Sequence, residues 1–406
     1  MHPKVAEPRR CRCPDVPRCC GAPDARTYRV AAELPLPGRT ALLLTSAKIE
    51  VLMDSDTFSS TRVSSDVDGS GPAERPPVII VGAGLAGLVA ANALAEAGRR
   101  AVVLDKGRSP GGRLATRRMA GQGGRTARLD HGAQFFTVRS PDFAEVVHGW
   151  RRSGVVREWC RGFSGSGDGY PRYCAEAGMS TIAKVLGATA EVICDVEVRA
   201  LAGFDGRLSL STEDGRRWES DAVIMTPPTP QALALCENGW LPLPAEAELS
   251  LRAVTYSPCF ALLVTLDAPG SVPYPGGVQV DATSDDDSVF SFVGDNLAKG
   301  ISEVPALTFH ANDDFSRSRF DDDPKRVHAE LLAAARPFFG EGRVVDSALK
   351  RWKYARPLVG HHGNCLPTEP IPGATLVFAG DAFGGAKIEG AALSGLAAAE
   401  AVLLAS

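Results

Sequence analysis

The chain has 406 residues, of which 44% are hydrophobic, and its formal net charge is −4. This length exceeds that of one compact core and suits two domains plus an extension. The small net charge gives no reason to expect a nucleic acid or an anionic membrane as a partner. No apolar run approaches the roughly 18 residues that span a bilayer, and none is placed as a secretory signal. We therefore expect a soluble cytoplasmic protein.

The ten cysteines fall into two groups. Four of them crowd the first twenty residues, and the other six are scattered without any pair at C-x-x-C spacing. Scattered cysteines are typical of small buried hydrophobic residues in a reducing compartment. The N-terminal group lacks the C-x₂₋₄-C spacing of structural zinc sites. We therefore expect no metal site.

Residues 1–76 are rich in Pro, Arg, Gly and Ser and show no helical or strand periodicity of apolar residues. We expect this extension to be disordered. Met53 opens a more ordinary protein start, which suggests that residues 1–52 belong to an over-extended gene model.

An ordered pattern begins directly after the extension. Val78 to Val81 is apolar on both faces and predicts a buried strand. Leu85 to Ala97 predicts an Ala-rich helix that ends at Gly98. Ala101 to Leu104 predicts a second buried strand, so that one βαβ unit is complete within thirty residues.

The remaining chain predicts a second set of elements, most of them strands in an antiparallel arrangement. The predicted strands are Ala190 to Leu201, Gly206 to Thr212, Arg216 to Thr226, Phe260 to Leu266, Val289 to Val293, Ala306 to His310 and Thr375 to Ala379. The predicted helices are Thr181 to Leu186, a helix capped by Asp323 that ends at Arg336-Pro337, and Gly390 to Leu404.

A G-x-G-x-x-G motif, Gly82-Ala83-Gly84-Leu85-Ala86-Gly87, follows the first strand and opens the first helix. In this context Gly82 permits a tight turn, Gly84 lets a pyrophosphate approach the backbone, and Gly87 lets helix and strand pack closely. The N–H groups of the helix start bind the pyrophosphate. Asp105, at the end of the second strand, is expected to accept hydrogen bonds from ribose hydroxyls. The unit therefore predicts a site for NAD or FAD.

The next segment decides between these two cofactors. Lys106 to Thr116, KGRSPGGRLAT, closely resembles the R-x-G-G-R-x-x-[ST] segment of the flavin amine oxidase superfamily. The resemblance implies that the glycine pair ending at Gly112 runs along the pyrophosphate and that Arg113 supports the cofactor. NAD dehydrogenases do not carry this segment. The cofactor is therefore expected to be FAD, bound non-covalently because the superfamily's flavin-linking cysteine has no clear match.

The C-terminal part agrees with this resemblance. Phe378 to Phe383 resembles the superfamily's A-G-D motif, and Ile388 to Gly395 resembles its V-E-G-A-x-x-S-G helix start. A helix N-terminus at that point would stabilise negative charge on a reduced flavin. Val198 lies where the superfamily's central strand contacts adenine through its backbone. The cofactor residues expected in the two C-terminal motifs are Gly380, Asp381, Glu389, Gly390 and Ala391.

Further segments resemble the renalase-like branch of the superfamily, and the resemblance covers residues 77–406. They are D-H-G-A-Q-[YF]-F at Asp130 to Phe136, G-M-[SN] at Gly178 to Ser180, H-A-x-x-x-[WF]-S at His310 to Ser316, and W-[RK]-Y-A-R-P at Trp352 to Pro357. The first segment implies that Ala133, Gln134 and Phe135 lie against the flavin.

This resemblance implies oxidation of isomeric dihydropyridine forms of NAD(P)H, with hydride passing to flavin N5 and electrons to O₂ to give H₂O₂. Hydride loss makes the ring aromatic, so the protein must mainly hold the ring within about 3.5 Å of N5. Gln134, Trp352 and Tyr354 are candidates for this placement. Arg356 is a candidate for contact with a ribose or phosphate.

Two other interpretations remain open. Amine oxidases of the superfamily carry a lysine near N5 on a substrate-domain strand, and the matching segment Tyr256 to Phe260 has none. Amine oxidation or desaturation is therefore the alternative activity. A non-catalytic flavin-binding module is the alternative from another class.

The predicted fold class is α/β, with a Rossmann-type FAD-binding domain interrupted in sequence and a second α+β substrate domain built on a mostly antiparallel sheet. The predicted division is an extension at 1–76, an FAD-binding domain at 77–138, 180–229 and 372–406, and a substrate domain at 139–179 and 230–371.

Overall fold

The computed structural model describes residues 75–163, 168–280 and 288–405. The extension expected at residues 1–76 therefore lies outside the described residues up to residue 74. The same holds for the proposed over-extended segment, residues 1–52.

The described residues form strands and helices in an order that begins with the expected βαβ unit. The strands are β1 Val78–Val81, β2 Ala101–Leu104, β3 Thr116–Ala120, β4 Thr126–Asp130, β5 Val156–Cys160, β6 Arg172–Ala175, β7 Glu191–Ile193, β8 Val198–Phe204, β9 Arg207–Thr212, β10 Arg217–Ser220, β11 Ala222–Met225, β12 Thr255–Leu266, β13 Gly277–Gln279, β14 Phe290–Asp295, β15 Ala306–Ala311, β16 Val344–Val359, β17 Leu366–Ile371 and β18 Ala374–Phe378. The helices are α1 Leu85–Glu96, α2 Pro141–Arg152, α3 Ser180–Gly187, α4 Thr229–Asn238, α5 Ala245–Arg252, α6 Asp313–Arg319, α7 Pro324–Ala335 and α8 Ile388–Leu404. Within these described segments, no helix is both long and apolar enough to cross a membrane.

A six-stranded sheet in the order β17-β18-β11-β1-β2-β7 contains the βαβ unit. Its pairs are parallel except for β17, which runs antiparallel to β18 on the edge. A central parallel strand is covered on both faces, which explains why every residue of β1 is apolar and buried. This sheet confirms the predicted Rossmann-type part of the fold.

The alternation of side chains along β1 divides the core of this sheet into two layers. Val78 and Ile80 pack on one face with α1, α2, α3 and α8. Ile79 and Val81 pack on the other face with β8, β9 and helices α4 and α5. Burial of each such side chain contributes about 1.5–3 kcal/mol, so β1 is held from both sides.

A five-stranded sheet in the order β13-β14-β15-β12-β16 is antiparallel throughout. Its core side chains pack against α7, which begins after Asp323 as predicted, with the Asp323 carboxylate accepting a hydrogen bond from the Lys325 N–H. This sheet confirms the predicted antiparallel second part. β16 lies on its edge and runs for 16 residues, far beyond any strand expected there.

Two predicted strands are interrupted. Residues 190–201 split into β7 and β8, with Asp195 between them at a φ of 55° that no strand can continue through. Residues 216–226 split into β10, which pairs with β9, and β11, which pairs in parallel with β1. The chain changes partner there because the apolar run of β11 is buried only in the larger sheet.

A hairpin of β3 and β4 was not predicted. Met119, Ala127 and Leu129 on one face pack with Leu263 of β12 and with Val304. The hairpin therefore connects the segment after β2 to the five-stranded sheet.

The domain division stays a proposal, and the contacts favour two changes to its boundaries. β17 joins the six-stranded sheet by pairing with β18, so the last boundary moves from 372 to 366. Helix α2 and residues 230–254 pack in the two layers of the six-stranded sheet, although we expected them in the substrate domain. Their apolar side chains are buried in the core of the six-stranded sheet.

Candidate active site

A cavity of about 2620 Å³ lies between the two sheets. Its wall is formed by the carboxyl ends of β1 and β2, the segment after β2, the β3–β4 hairpin, and strands β12 and β16. Ligands of open parallel sheets bind outside the carboxyl ends of the strands. This cavity is therefore the place where a ligand of the six-stranded sheet would lie.

The turn between β1 and α1 opens directly into the cavity. Gly82 has a φ of 103°, which a side chain would strain. Gly84 has free space where a Cβ would be, and no side chain caps the start of α1. Leu85 and Ala86 also line the cavity, so a helix N-terminus with open backbone donors faces it.

Gly87 does not line the cavity, because its position packs against the chain. A Cβ there would overlap the carbonyl oxygen of Gly82. This is the close helix–strand approach for which the motif needs its last glycine.

Asp105 lines the cavity with its carboxylate held in place. One oxygen accepts the Ala83 N–H at 2.6 Å, and the other accepts the Gly107 N–H at 2.7 Å. A carboxylate oxygen has two lone pairs, so both oxygens keep capacity for a ligand hydroxyl. Lys106 and Gly112 line the same part of the cavity.

Arg113 and Asp381 form a bidentate ion pair across the cavity wall. The two N···O distances are 2.5 and 2.6 Å, and the guanidinium also donates to the Tyr354 carbonyl at 3.2 Å. Burial raises the pKa of the Asp381 carboxyl, and the adjacent guanidinium opposes that shift. Two motifs that lie far apart in the sequence therefore meet at one point, with Gly380 beside them.

Gln134 is 5% exposed and is fixed by backbone acceptors. Its amide N–H₂ donates to the carbonyls of Asp130 at 2.7 Å and Gly132 at 3.2 Å. Ala133 and Phe135 line the cavity beside it. The Phe135 ring packs in an aromatic group with Trp159, Phe163 and Phe292, whose ring centroids lie 5.2–6.3 Å from its own.

Trp352, Tyr354 and Arg356 line the cavity from β16. The Trp352 indole donates to the His131 carbonyl at 2.9 Å and stacks on the His131 ring at 5.4 Å. The Tyr354 ring meets Tyr256 edge-on at 5.4 Å. These contacts hold both rings half-buried at the cavity wall.

Two histidines at the wall were not singled out from the sequence, although both lie in the resembling segments. Burial lowers the pKa of His131 and of His310 to about 4 in each case. Both imidazoles are therefore neutral at neutral pH. The Trp352 ring stacks on the His131 ring, and the Gln134 amide nitrogen lies 3.5 Å from Nε2 of His310.

A buried ion pair between Lys299 and Asp130 was also missed. The ammonium lies 2.7 Å from the carboxylate, and the two side chains are 1% and 0% exposed. The lysine stands among apolar and polar loop residues, so its sequence context gives no sign of burial.

Besides Gly87, two more predicted cofactor residues do not line the cavity. The Glu389 carboxylate instead accepts the N–H groups of Arg139 and Ser140 just before α2, at 2.9 and 2.7 Å. Gly390 is buried against the backbone of Gly385. Ala391, one residue on, does line the cavity.

Val198 lines the cavity at the start of β8 and is buried. Val196 and Glu197, which directly precede it in the chain, line the cavity as well. Its contact with adenine stays a prediction.

Comparisons with known proteins agree with this geometry. The Rossmann-type turn at the cavity is typical of a dinucleotide-binding protein, and residues 80–150 match the NAD(P)-binding Rossmann-like domain family. Residues 143–403 match the family of flavin containing amine oxidoreductases. The chain belongs to this family, and it is an FAD-dependent oxidoreductase.

Solved structures share the fold. A candidate protoporphyrinogen oxidase from Exiguobacterium sp. 255-15 has a TM-score of 0.61 at 13% identity, over 83% of this chain and 100% of its own. Wild-type putrescine oxidase bound to putrescine has a TM-score of 0.57 at 15% identity, over 82% of this chain and 100% of its own.

A curated relative matches over a short stretch only. Lysine-specific histone demethylase 1 homolog 1 of Arabidopsis thaliana is 50% identical over 64 residues, which are 16% of this chain and 8% of that protein. This chain thus spans a small fraction of that relative's length.

The residues present fit an FAD. The free space at Gly84 and the uncapped start of α1 suit a pyrophosphate, which a Cβ at that position would displace. Asp105 offers acceptors for ribose hydroxyls, and Arg113 with Asp381 offers a charged pair at the cavity wall.

Proposed function

We propose that this protein oxidises isomeric dihydropyridine forms of NAD(P)H in the manner of renalase-like enzymes. Bound FAD would supply the acceptor for a hydride and would pass the electrons to O₂, giving H₂O₂. Trp352 and Tyr354 would place the substrate ring, and Gln134 would orient it. Arg356 would meet a ribose or phosphate.

The absence of a lysine from β12, where the resembling amine oxidases hold one, carries this proposal, and the lysines that line the cavity nearby, Lys350 and Lys353, belong to β16. Cys259 pairs in register with Trp352, and no lysine occurs anywhere in β12. Amine oxidases of the superfamily hold a lysine on that strand. Lys299 does not serve instead, because its ammonium is on Asp130 and it does not line the cavity.

The charges at the wall favour the same substrate class. Asp381 is paired with Arg113, and Asp313 is paired with Arg356 at 2.8 Å. A protonated amine would compete with arginines for these carboxylates. A dihydropyridine ring has no such requirement and needs aromatic surface instead.

Placement of the ring is what the wall residues can supply. A displacement of 1 Å costs about a hundredfold in rate, so the ring must be held firmly. The hydrogen bond from Trp352 to the His131 carbonyl and the stacking of the two rings fix the Trp352 side of the wall. The edge contact with Tyr256 fixes the Tyr354 side of the wall.

We further propose which residues hold the cofactor. Gly82, Gly84 and the start of α1 would bind its pyrophosphate, and Asp105 would bind its adenosine ribose. Arg113 and Asp381 would contact the middle of the cofactor. The support is that all of these residues line one cavity.

Anaerobic mixing with a panel of substrates tests the activity. We expect 2- or 6-dihydro-NAD(P) to bleach the visible flavin band rapidly, and 4-dihydro-NADH and simple monoamines to do so slowly or not at all. Rapid bleaching by a monoamine with none by the isomers would replace this proposal with amine oxidation. No bleaching by any substrate would favour a non-catalytic flavin-binding module.

Trp352→Ala tests the role of the wall. We expect slower flavin reduction by the isomers, with FAD content and the resting flavin spectrum nearly unchanged. Trp240→Ala is a matched control, because Trp240 is 92% exposed and does not line the cavity. Equal reduction rates in the two variants would remove Trp352 from the proposal.

A further inference from the structure

β16 carries a dense group of cations where it forms the cavity wall. The segment Lys350-Arg351-Trp352-Lys353-Tyr354-Ala355-Arg356 holds four cations and no acid in seven residues. All seven residues line the cavity. Charged side chains on an edge strand protect it from pairing with other strands. Lys350 and Lys353 are exposed on this edge strand and meet that requirement, but the protective role does not use their position beside the aromatic rings of the cavity wall.

The two lysines differ from the two arginines in their partners. Arg356 pairs with Asp313, and Arg351 donates to the Phe320 carbonyl at 3.0 Å. Among the residues that the structure describes, no carboxylate lies within 4.0 Å of the ammonium of Lys350 or Lys353. Both lysines are exposed, so their charges are available to a ligand.

Each of these ammonium groups lies beside an aromatic ring of the wall. Lys350 lies 5.0 Å from the centroid of the Trp352 ring, and Lys353 lies 5.5 Å from that of Tyr354. A ligand ring packed on this wall would therefore have cations at its border. The whole chain has a net charge of −4, so this local excess of cations is not a property of its general composition.

We propose that Lys350 and Lys353 bind the phosphate groups of the substrate, which is a phosphate-bearing dinucleotide. This inference rests on the proposed function and adds the residues that read the charged part of the ligand. Lysine binds phosphate as a point charge with three donors and needs no bidentate geometry. A cationic wall in a cleft also concentrates anions and speeds their association at low salt.

Calorimetry with ADP-ribose tests the binding directly. The enzyme is saturated with FAD beforehand, so that the pyrophosphate site of the cofactor is filled. We expect the Kd for ADP-ribose to rise about tenfold in the double variant Lys350→Gln/Lys353→Gln, because two phosphate contacts are lost. Lys325→Gln is the matched control: it removes one exposed cation on α7 that does not line the cavity, and its Kd should stay unchanged. An unchanged Kd in the double variant would overturn the proposal.

Kinetics with two substrates separate charge recognition from a structural effect. One substrate is 6-dihydro-NAD, and the other is a 6-dihydronicotinamide with a simple N-alkyl group and no phosphate. We expect the double variant to raise KM for the dinucleotide about tenfold, with kcat nearly unchanged, and to leave KM for the phosphate-free ring unchanged. The wild type should also lose affinity for the dinucleotide with added salt, and the double variant should do so less steeply.

The outcomes distinguish the two proposals. An equal rise of KM for both substrates would show that the lysines shape the wall and do not bind phosphate. If the wild type oxidises neither ring, the proposed function fails. The ADP-ribose titration then still decides whether Lys350 and Lys353 form an anion site.

Discussion

Asp130 joins the parts of the site through its oxygen atoms. Its carboxylate accepts from the Thr116 hydroxyl at 2.6 Å and from the Lys299 ammonium at 2.7 Å. Its carbonyl accepts from the Gln134 amide at 2.7 Å and from the Thr308 hydroxyl at 2.9 Å. A buried charge needs such compensation. Asp130 therefore positions Gln134 and ties the hairpin to the five-stranded sheet.

Lys299→Met leaves the Asp130 carboxylate buried without its cation. We expect the free energy of unfolding to fall by about 3–5 kcal/mol, since breaking one side of a buried pair strands the other charge. Denaturant titration measures the change. The double variant Asp130→Asn/Lys299→Met should recover most of the loss, because the unpaired charge is gone. A single variant as stable as the wild type would show that the ion pair does not support the fold.

The two histidines at the cavity wall make stability depend on pH. Burial lowers the pKa of His131 and His310 to about 4, whereas the unfolded chain titrates near 6.5. The unfolded state therefore binds protons between these values that the folded state does not, and stability falls as the pH falls through this window. At pH 5 the loss is about 2 kcal/mol for each histidine.

We therefore expect the melting temperature at pH 5 to lie below that at pH 7. His310→Gln should flatten this dependence, because it removes one of the two groups. Thermal melts of both proteins across the range measure the slopes. Identical slopes would mean that other groups govern the acid sensitivity.

At the scale of elements, two glycines of the β1–α1 turn have different roles, one in cofactor binding and the other in folding. Gly84→Val should yield a folded protein without FAD, because its side chain enters open space that the pyrophosphate would need. Gly87→Val should not fold, because its side chain meets the Gly82 backbone. The flavin-to-protein ratio and the melting temperature of the two variants provide the test. Full flavin content in Gly84→Val would place the pyrophosphate elsewhere.

Elements with local signals were predictable from the sequence. β1 and β2 have the predicted bounds, and α1, α7 and α8 differ by two residues or fewer. Their apolar patterns and caps lie within the segments themselves. The long strand β16 and the separation of β11 from β10 were not predictable in this way, because each depends on a partner strand far away in the sequence.

The site residues also divide into those with a local sequence signal and those that depend on distant contacts. The glycine-rich turn and Asp105 come from one βαβ unit, so local spacing located them. The pairing of Arg113 with Asp381 and the burial of Lys299 depend on the tertiary structure and have no local signature. Glu389 lies in a resembling motif, yet its carboxylate accepts a hydrogen bond from the backbone N–H of Ser140, just before α2.

At the scale of the whole molecule, the flavin should be released intact on acid or heat treatment. Cys365 is half-buried in the core beside α8, and burial raises the pKa of its thiol. Since the thiolate is the nucleophile, this residue is poorly suited to attach a flavin. Absorbance of the supernatant after precipitation measures the released FAD. Flavin that stays with the precipitate would contradict non-covalent binding.

The ion pair of Arg113 and Asp381 joins residues 268 positions apart. A ribosome adds about 5–20 residues per second, so roughly 15 to 50 s separate their synthesis. From the synthesis of β11 until that of β18, β11 lacks its neighbour, and the cavity lacks the wall to which Asp381 and α8 contribute. A nascent chain that stops before β18 therefore cannot close the cavity, however well its βαβ unit has folded. We therefore expect the flavin to be taken up at the end of biosynthesis, after the last strand has left the ribosome.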